Sequence, residues 1–254
     1  MRESRHDHDA GGDPEVLDRK AELRQRVWDA IDEAGVGRFP GAHGRIPNFT
    51  GAEDAAERLR DTDAWRSAAT LKSNPDSPQW PVRQRALEDG KLVYMAVPRL
   101  REEQPFFLLD PDRLDDTPRK SSSIKGAERN AEKVAVENLE PVDLVVTGCV
   151  AVTAGGARLG KGGGFSDLEF AIASAAGLIG DDTVVATTVH EVQILDDGDI
   201  PTTGHDVPLD LIVTPDRVIE VERRRPRDAT IHWEELTDEK IASIPVLQRL
   251  RERS

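Results

Sequence analysis

The chain has a single cysteine, Cys149, so it can form no internal disulfide and no cysteine-based zinc site. No apolar run approaches the roughly 18 residues a membrane-spanning helix needs, and the first residues are polar and charged. Neither a span nor a signal peptide is therefore expected, and a cytoplasmic location is. Positive charge is scarce: 34 Lys and Arg face 48 Asp and Glu, a net charge of −14. A nucleic-acid partner, which needs a basic face, is not expected. Lysine is the scarcer cation, 8 against 26 Arg, while Asp numbers 27, a skew that predicts a protein adapted to concentrated salt (halophilic). The chain has no repeat of solenoid period. At 254 residues and 37% hydrophobic content it can bury one sizeable core rather than two.

Residues 1–13 are charged, carry His6 and His8, and read as a disordered N-terminal tail. Asp13-Pro14 then starts an amphipathic helix over 14–34, with Val16, Leu17, Leu23, Val27 and Ile31 near helical spacing and Gly35 at its end. A second helix is expected near 52–59 and a strand at 68–71. The turn Asn74-Pro75-Asp76, a helix through Val82, Ala86 and Leu87, and a strand at 92–97 complete a parallel β-α-β unit. Further strands are expected at 106–109, 143–147, 184–189, 209–213 and 218–221, with a helix over 124–139. Strands alternating with helices predict an α/β protein, a three-layer α/β/α sandwich with the sheet in the middle. The main domain is set at 14–222. An extension from 223 to 254 is expected to carry a helix at Trp233-Glu234-Glu235-Leu236 and to pack on the domain edge.

The stretch Gly155-Gly156-Ala157-Arg158-Leu159-Gly160-Lys161-Gly162-Gly163-Gly164-Phe165-Ser166-Asp167 puts six glycines around two cations, after a β-branched run and before a helix. Glycine lets a backbone take φ > 0 and approach a ligand closely, while the unpaired N–H groups and dipole of a helix start favour an anion. Arg158 and Lys161 add a fork and a point charge, which suits a polyphosphate. Lys161 is followed by Gly162, so this is not a Walker A loop, and the spacing is not the dinucleotide fingerprint. Lys20 and Arg24, four apart on the first helix, share one face and could reach such a site or pair with surface acids. Cys149 reads as a small core residue.

The pattern Gly-x-Arg-Leu-Gly-x-Gly-x-Gly, an aromatic, one residue and Asp, over 156–167, resembles the signature of the 5-formyltetrahydrofolate cyclo-ligase family, also called methenyltetrahydrofolate synthetase. His205-Asp206-Val207-Pro208-Leu209-Asp210-Leu211-Ile212-Val213-Thr214 is similar to the family's closing motif. Arg19-Lys20-Ala21-Glu22-Leu23-Arg24 resembles its basic N-terminal helix, and Gln193 stands where the family usually has Gln. The resemblance spans roughly 17–221. Ser166 replaces a second aromatic, Thr153 replaces an acidic residue at a strand exit, and the family's folate-holding Glu has no clear counterpart near Asn74-Pro75-Asp76. This pattern looks like the diverged branch, the methenyltetrahydrofolate synthetase domain-containing proteins.

The resemblance implies the NagB/RpiA/CoA-transferase-like fold and an ATP- and Mg²⁺-dependent conversion of 5-formyltetrahydrofolate to 5,10-methenyltetrahydrofolate. Arg158, Lys161 and Asp167 would be catalytic. Lys20, Arg24, Gly160, Gly162, Gly163, Gly164 and Phe165 would hold the nucleotide, and Asp167 with Asp206 the metal, Asp210 being an alternative second carboxylate. Trp80, Phe165, Tyr94 and Met95 are candidate walls for a pterin. The alternative is a diverged paralogue that keeps the ATP site but acts on, or senses, another small molecule. Either way the expected partner is a small molecule, with no nucleic acid and no membrane, and the protein is expected to be a monomer.

Overall fold

The computed structural model describes residues 13–204, 206–222, 227 and 230–253. In chain order the helices are α1 (Pro14–Glu33), α2 (Ala52–Arg60), α3 (Asp63–Ser67), α4 (Trp80–Glu88), α5 (Pro118–Ser121), α6 (Ile124–Asn130), α7 (Phe165–Ala175), α8 (Asp238–Ser243) and α9 (Pro245–Arg253). The strands are β1 (Thr70–Ser73), β2 (Leu92–Ala96), β3 (Phe106–Leu109), β4 (Glu132–Val134), β5 (Leu144–Val146), β6 (Ala151–Thr153), β7 (Arg158–Leu159), β8 (Val184–Thr188), β9 (Ile194–Leu195), β10 (Leu211–Val213) and β11 (Val218–Glu220). An eight-stranded sheet runs in the order β11-β10-β8-β5-β1-β2-β3-β4, and a small sheet in the order β7-β6-β9. β1 and β2 pair in parallel across α4, as the β-α-β reading expects.

The period of two along each strand sorts the side chains into two cores. Val93 and Met95 join Leu71, Leu144, Val146 and Val213 against α2, α3 and α4. Tyr94 and Ala96 join Val145, Val185 and Ile212 on the opposite face, against α7 and the C-terminal helices. The result is the three-layer α/β/α sandwich. A third cluster docks the apolar stripe of α1, Leu23, Val27 and Ile31, onto Val150, Ala151 and Leu159 of the small sheet. That docking fixes which way the neighbouring Lys20 and Arg24 point.

Four expectations change. The helix over 124–139 stops at Asn130, because Val134 and Val136 bury with a spacing of two and β4 completes the edge that β3 offers. The first strand lies at Thr70–Ser73 rather than 68–71, its start pinned where the backbone N–H groups of Ala69 and Thr70 donate to the Asp143 carboxylate. Gly155 and Gly156 are the turn of the β6–β7 hairpin, so the loop that enters α7 is only 160–164. Gly156 is required there: its φ is +88°, and a Cβ would stand 2.8 Å from the Leu209 carbonyl oxygen.

The C-terminal segment is the fourth. Trp233–Glu235 is a single 3₁₀ turn, and the helices that follow bury Ile241, Ile244 and Leu247 in the same core as β5 and β8. Full burial of such a side chain stabilises by about 1.5–3 kcal/mol before entropy is counted. This segment is part of the sandwich rather than an edge appendage.

Candidate functional site

The loop 160–164 joins β7 to α7, and two of its glycines, Gly162 at φ +114° and Gly164 at +63°, hold left-handed conformations. Gly164 is the N-cap of α7 and offers no side-chain cap to the first N–H groups of the helix. β7 turns Arg158 inward. Its Nε donates to the Val207 carbonyl at 3.1 Å, and its Nη2 pairs with Oδ1 of Asp167, which also accepts the Val207 N–H at 3.1 Å. Burial alone would push the guanidinium down, but the charges of Asp167, Cys149 and Asp206 and the hydrogen bond to Asp167 together outweigh it and hold it above its ordinary range. The three groups tie β7, α7 and the segment after Asp206 into one unit.

From α1, Lys20 Nζ donates to Asp206 Oδ2 at 2.8 Å, an oxygen that also accepts the Thr203 N–H and hydroxyl at 2.8 and 3.0 Å. Burial pushes the Asp206 carboxyl up, yet the Lys20 charge and these hydrogen bonds overcome it and set it below the usual carboxylate range. One turn on, Arg24 Nε donates to the Gly160 carbonyl at 2.7 Å. Burial lowers the Arg24 guanidinium against the opposing pull of Asp206.

These groups line a cavity of about 140 Å³ between α1, the glycine loop and the C-terminal segment. Lys20, Arg24, Arg158, Gly160, Gly162, Gly164, Asp167 and Asp206 all face it. Lys161 does not line it. Half exposed, it points to the other side of the loop, with Nζ 3.6 Å from Asp76 Oδ1. Gly163 turns its carbonyl, and Phe165 its ring, toward Lys240. His205 lies outside the described residues. Asp210 is elsewhere, accepting the Val185 N–H at 2.8 Å and pairing with Arg227.

The candidate pterin walls resolve differently. Tyr94 and Met95 are buried on opposite faces of the sheet, Tyr94 accepting the Glu140 N–H at 3.0 Å, so both are core. Trp80 carries Arg119 over its ring at 4.8 Å. Cys149 is buried, its thiol pushed up by that burial, and Gln193 holds the Cys149 and Val150 carbonyls at 3.0 and 3.1 Å.

A second polar cluster, which the sequence reading did not foresee, closes the end of β1. Lys72 pairs with Glu169 wholly inside the protein, and Asn74 Nδ2 donates to the same Glu169 oxygen at 3.0 Å. Arg83, fully buried and pushed down to about 10 by that burial, donates to the carbonyls of Asn74, Pro75, Asp76 and Ser122. Beside them Gln79 Oε1 and Thr147 Oγ1 are buried with no hydrogen-bond partner among the described residues. A lysine in the middle of a short apolar strand was the available signal. Its carboxylate lies 97 positions away, and only the fold joins them.

No group of three or more His, Cys, Asp or Glu side chains arranged for a metal occurs among the described residues. Nor is any helix there long and apolar enough to cross a membrane.

A glycine loop opening a helix at the edge of a three-layer sandwich, with cations brought from an N-terminal helix, defines the class. The sequence profile of the 5-formyltetrahydrofolate cyclo-ligase family matches residues 17–215, and the chain belongs to that family. It is 38% identical over 236 residues to a mouse (Mus musculus) methenyltetrahydrofolate synthase domain-containing protein, covering 92% of this chain and 63% of that protein. The human protein of the same name is 34% identical, with 92% and 62% covered. The chain thus spans a little under two thirds of the length of these curated relatives. Among solved structures, 5,10-methenyltetrahydrofolate synthetase from Aquifex aeolicus superposes with a TM-score of 0.52 at 19% identity, over 84% of this chain and 98% of that one, a likeness of fold.

Proposed function

We propose that the protein binds the phosphates of ATP in the cleft at the glycine loop and uses them as a cyclo-ligase, converting 5-formyltetrahydrofolate to 5,10-methenyltetrahydrofolate. The observation that carries this reading is the convergence of Lys20, Arg24, Gly160, Gly162 and Gly164 on one cavity at the start of α7. Cations and uncapped N–H groups at a helix start are what a polyphosphate requires. In the reaction the γ-phosphoryl group passes to the formyl oxygen, breaking its bond to the β-phosphate bridge and releasing ADP. N10 then attacks the activated carbon, phosphate leaves with that oxygen, and N10 loses its proton.

The protein's part is positioning and charge stabilisation. Lys20 and Arg24 would hold the phosphate chain, with Lys161 reaching from the far side of the loop toward the acceptor. Arg158 acts through Asp167, orienting the carboxylate rather than touching phosphate. The hydrogen bonds from Arg158 and Val207 to Asp167 both fall on Oδ1, so Oδ2 would be the oxygen to hold Mg²⁺, a hard cation that favours carboxylate and phosphate oxygens. Such an ion would neutralise charge on the β- and γ-phosphates. Asp206 is committed through Oδ2 to Lys20 and Thr203, so its part in a metal site is secondary.

The test is growth of methenyltetrahydrofolate absorbance from 5-formyltetrahydrofolate and Mg·ATP in molar KCl, with Arg24→Ala and Asp167→Asn as controls. Turnover lost in both variants supports the reading. ATP binding without turnover in the folded wild type would move it to the second reading, a diverged enzyme acting on a different small molecule. One observation favours that alternative: Asn74, Pro75 and Asp76 are held from inside by Arg83, and Asn74 is bonded to Glu169.

A further inference from the structure

The C-terminal segment lies beyond the residues matched by the family profile, 17–215, yet it forms one wall of the cleft. Lys240, on the first turn of α8, is only 4% exposed. Its Nζ donates to the Gly163 carbonyl at 2.8 Å, sits 4.9 Å above the centre of the Phe165 ring, and is 3.4 Å from where a Gly164 Cβ would stand. Arg24 makes the matching contact from α1, to the Gly160 carbonyl. Two cations from opposite ends of the chain thus grip the two ends of one glycine loop. An ammonium at the start of α7 faces the positive end of that helix's dipole and shares the cleft with Lys20 and Arg24. Asp13, Asp167, Asp206 and Glu235 also line this cleft, Asp167 and Asp206 bonded to Arg158 and Lys20, and a polyphosphate at the helix start would be attracted by the dipole and the Lys240 ammonium together.

Beside Thr230, His232 and Glu235, this wall carries apolar side chains. Ile231 and Leu236 face Val16 and Leu17 of α1 across the cavity, and Leu168 and Ala171 of α7 also line it. The cleft therefore sets charged and polar groups at the glycine loop beside an apolar patch away from it, the two-part chemistry of a nucleotide with an apolar planar base.

We infer that residues 230–240 complete the nucleotide site, Lys240 binding the polyphosphate at the glycine loop and Ile231 with Leu236 covering the nucleoside. This rests on the ATP reading proposed above. Lys240 is a binding residue, and its ammonium is the only part of it the inference requires.

Binding of ATP, inorganic triphosphate and adenosine to the full chain, measured by calorimetry in constant molar KCl, tests it. Lys240→Gln keeps a donor for the Gly163 carbonyl and removes the charge. It is expected to weaken ATP and triphosphate about tenfold while leaving adenosine unchanged, and Lys240→Arg to restore most of the loss. Leu236→Ala is expected to weaken adenosine and ATP severalfold and spare triphosphate. Equal triphosphate affinity in wild type and a folded Lys240→Gln overturns the inference and leaves the ATP reading standing. A wild type that binds neither ATP nor triphosphate overturns both. Should Lys240→Gln fail to fold, lysine-¹⁵N labelling of the wild type decides: the Lys240 Nζ resonance, identified with Lys240→Arg, shifts on adding triphosphate or the inference fails.

Discussion

The cleft at the glycine loop and the turn after β1 lie close enough for Lys161 on one to come within 3.6 Å of Asp76 on the other, yet they use charge in opposite ways. In the turn, Lys72, Glu169 and Arg83 are sealed inside and bonded to one another or to backbone carbonyls. In the cleft, the cations line a cavity and two of them rest on the carbonyls of the loop itself. Charge without water must be matched inside the protein, whereas charge lining a cavity can be matched by a ligand. The turn therefore behaves as a brace, and the cleft, on the function proposed above, as a receptor.

The sharpest way to break the contrast is to remove one partner of the brace. Lys72→Met leaves Glu169 buried against Asn74 alone and is expected to destabilise the protein by about 3–5 kcal/mol in urea unfolding. Adding Glu169→Leu should recover most of that loss, since an apolar pair of similar volume needs no counter-charge. If the single variant unfolds like the wild type, the brace is not one.

Glycines sharpen it next. A Cβ at Gly148 would stand 2.9 Å from Gln79 Oε1 and 3.0 Å from Ile46, whereas at Gly160 the nearest atom is Arg158 Nη1 at 4.0 Å. Gly148→Ala should cost about 1–3 kcal/mol by overpacking. Gly160→Ala should leave the melting temperature nearly unchanged while weakening triphosphate, because the added methyl stands where a ligand approaches.

Acid separates the regions more gently. The folded-state pKa of Asp206 lies below its ordinary value, so its contribution to stability is present above the ordinary carboxylate range and is lost as pH falls through the depressed value. Melting curves from pH 6 to 3 should show Asp206→Asn with a shallower decline than the wild type; parallel declines would deny the Lys20 pairing its effect. Smallest of all, a double-mutant cycle on Lys161 and Asp76 should give under about 0.5 kcal/mol, as expected of a pair with one partner half exposed.

Much of this was legible in the sequence. The alternation of strands and helices foretold the three-layer sandwich, Asp13-Pro14 and the apolar stripe foretold α1, and the glycine run foretold a loop that opens a helix. That residues on α1 and around the loop would share one cavity was legible because helix spacing and glycine chemistry are local. The direction of Lys161 was not legible, because which way a side chain leaves a loop depends on what lies across from it. The end of the 124–139 helix was missed because the free edge of β3, and not local propensity, decided it.

By itself the sequence determined the elements that local physics dictates: where backbones can turn, where helices start, and which faces are apolar. Only the tertiary structure decided which charges meet. Lys20 finds Asp206 186 positions away, Lys240 reaches Gly163 across 77, and Lys72 is matched to Glu169 within a dry core. Such pairings follow from packing, because a buried charge is matched by whatever the fold brings within a few ångströms, and sequence distance carries no record of that.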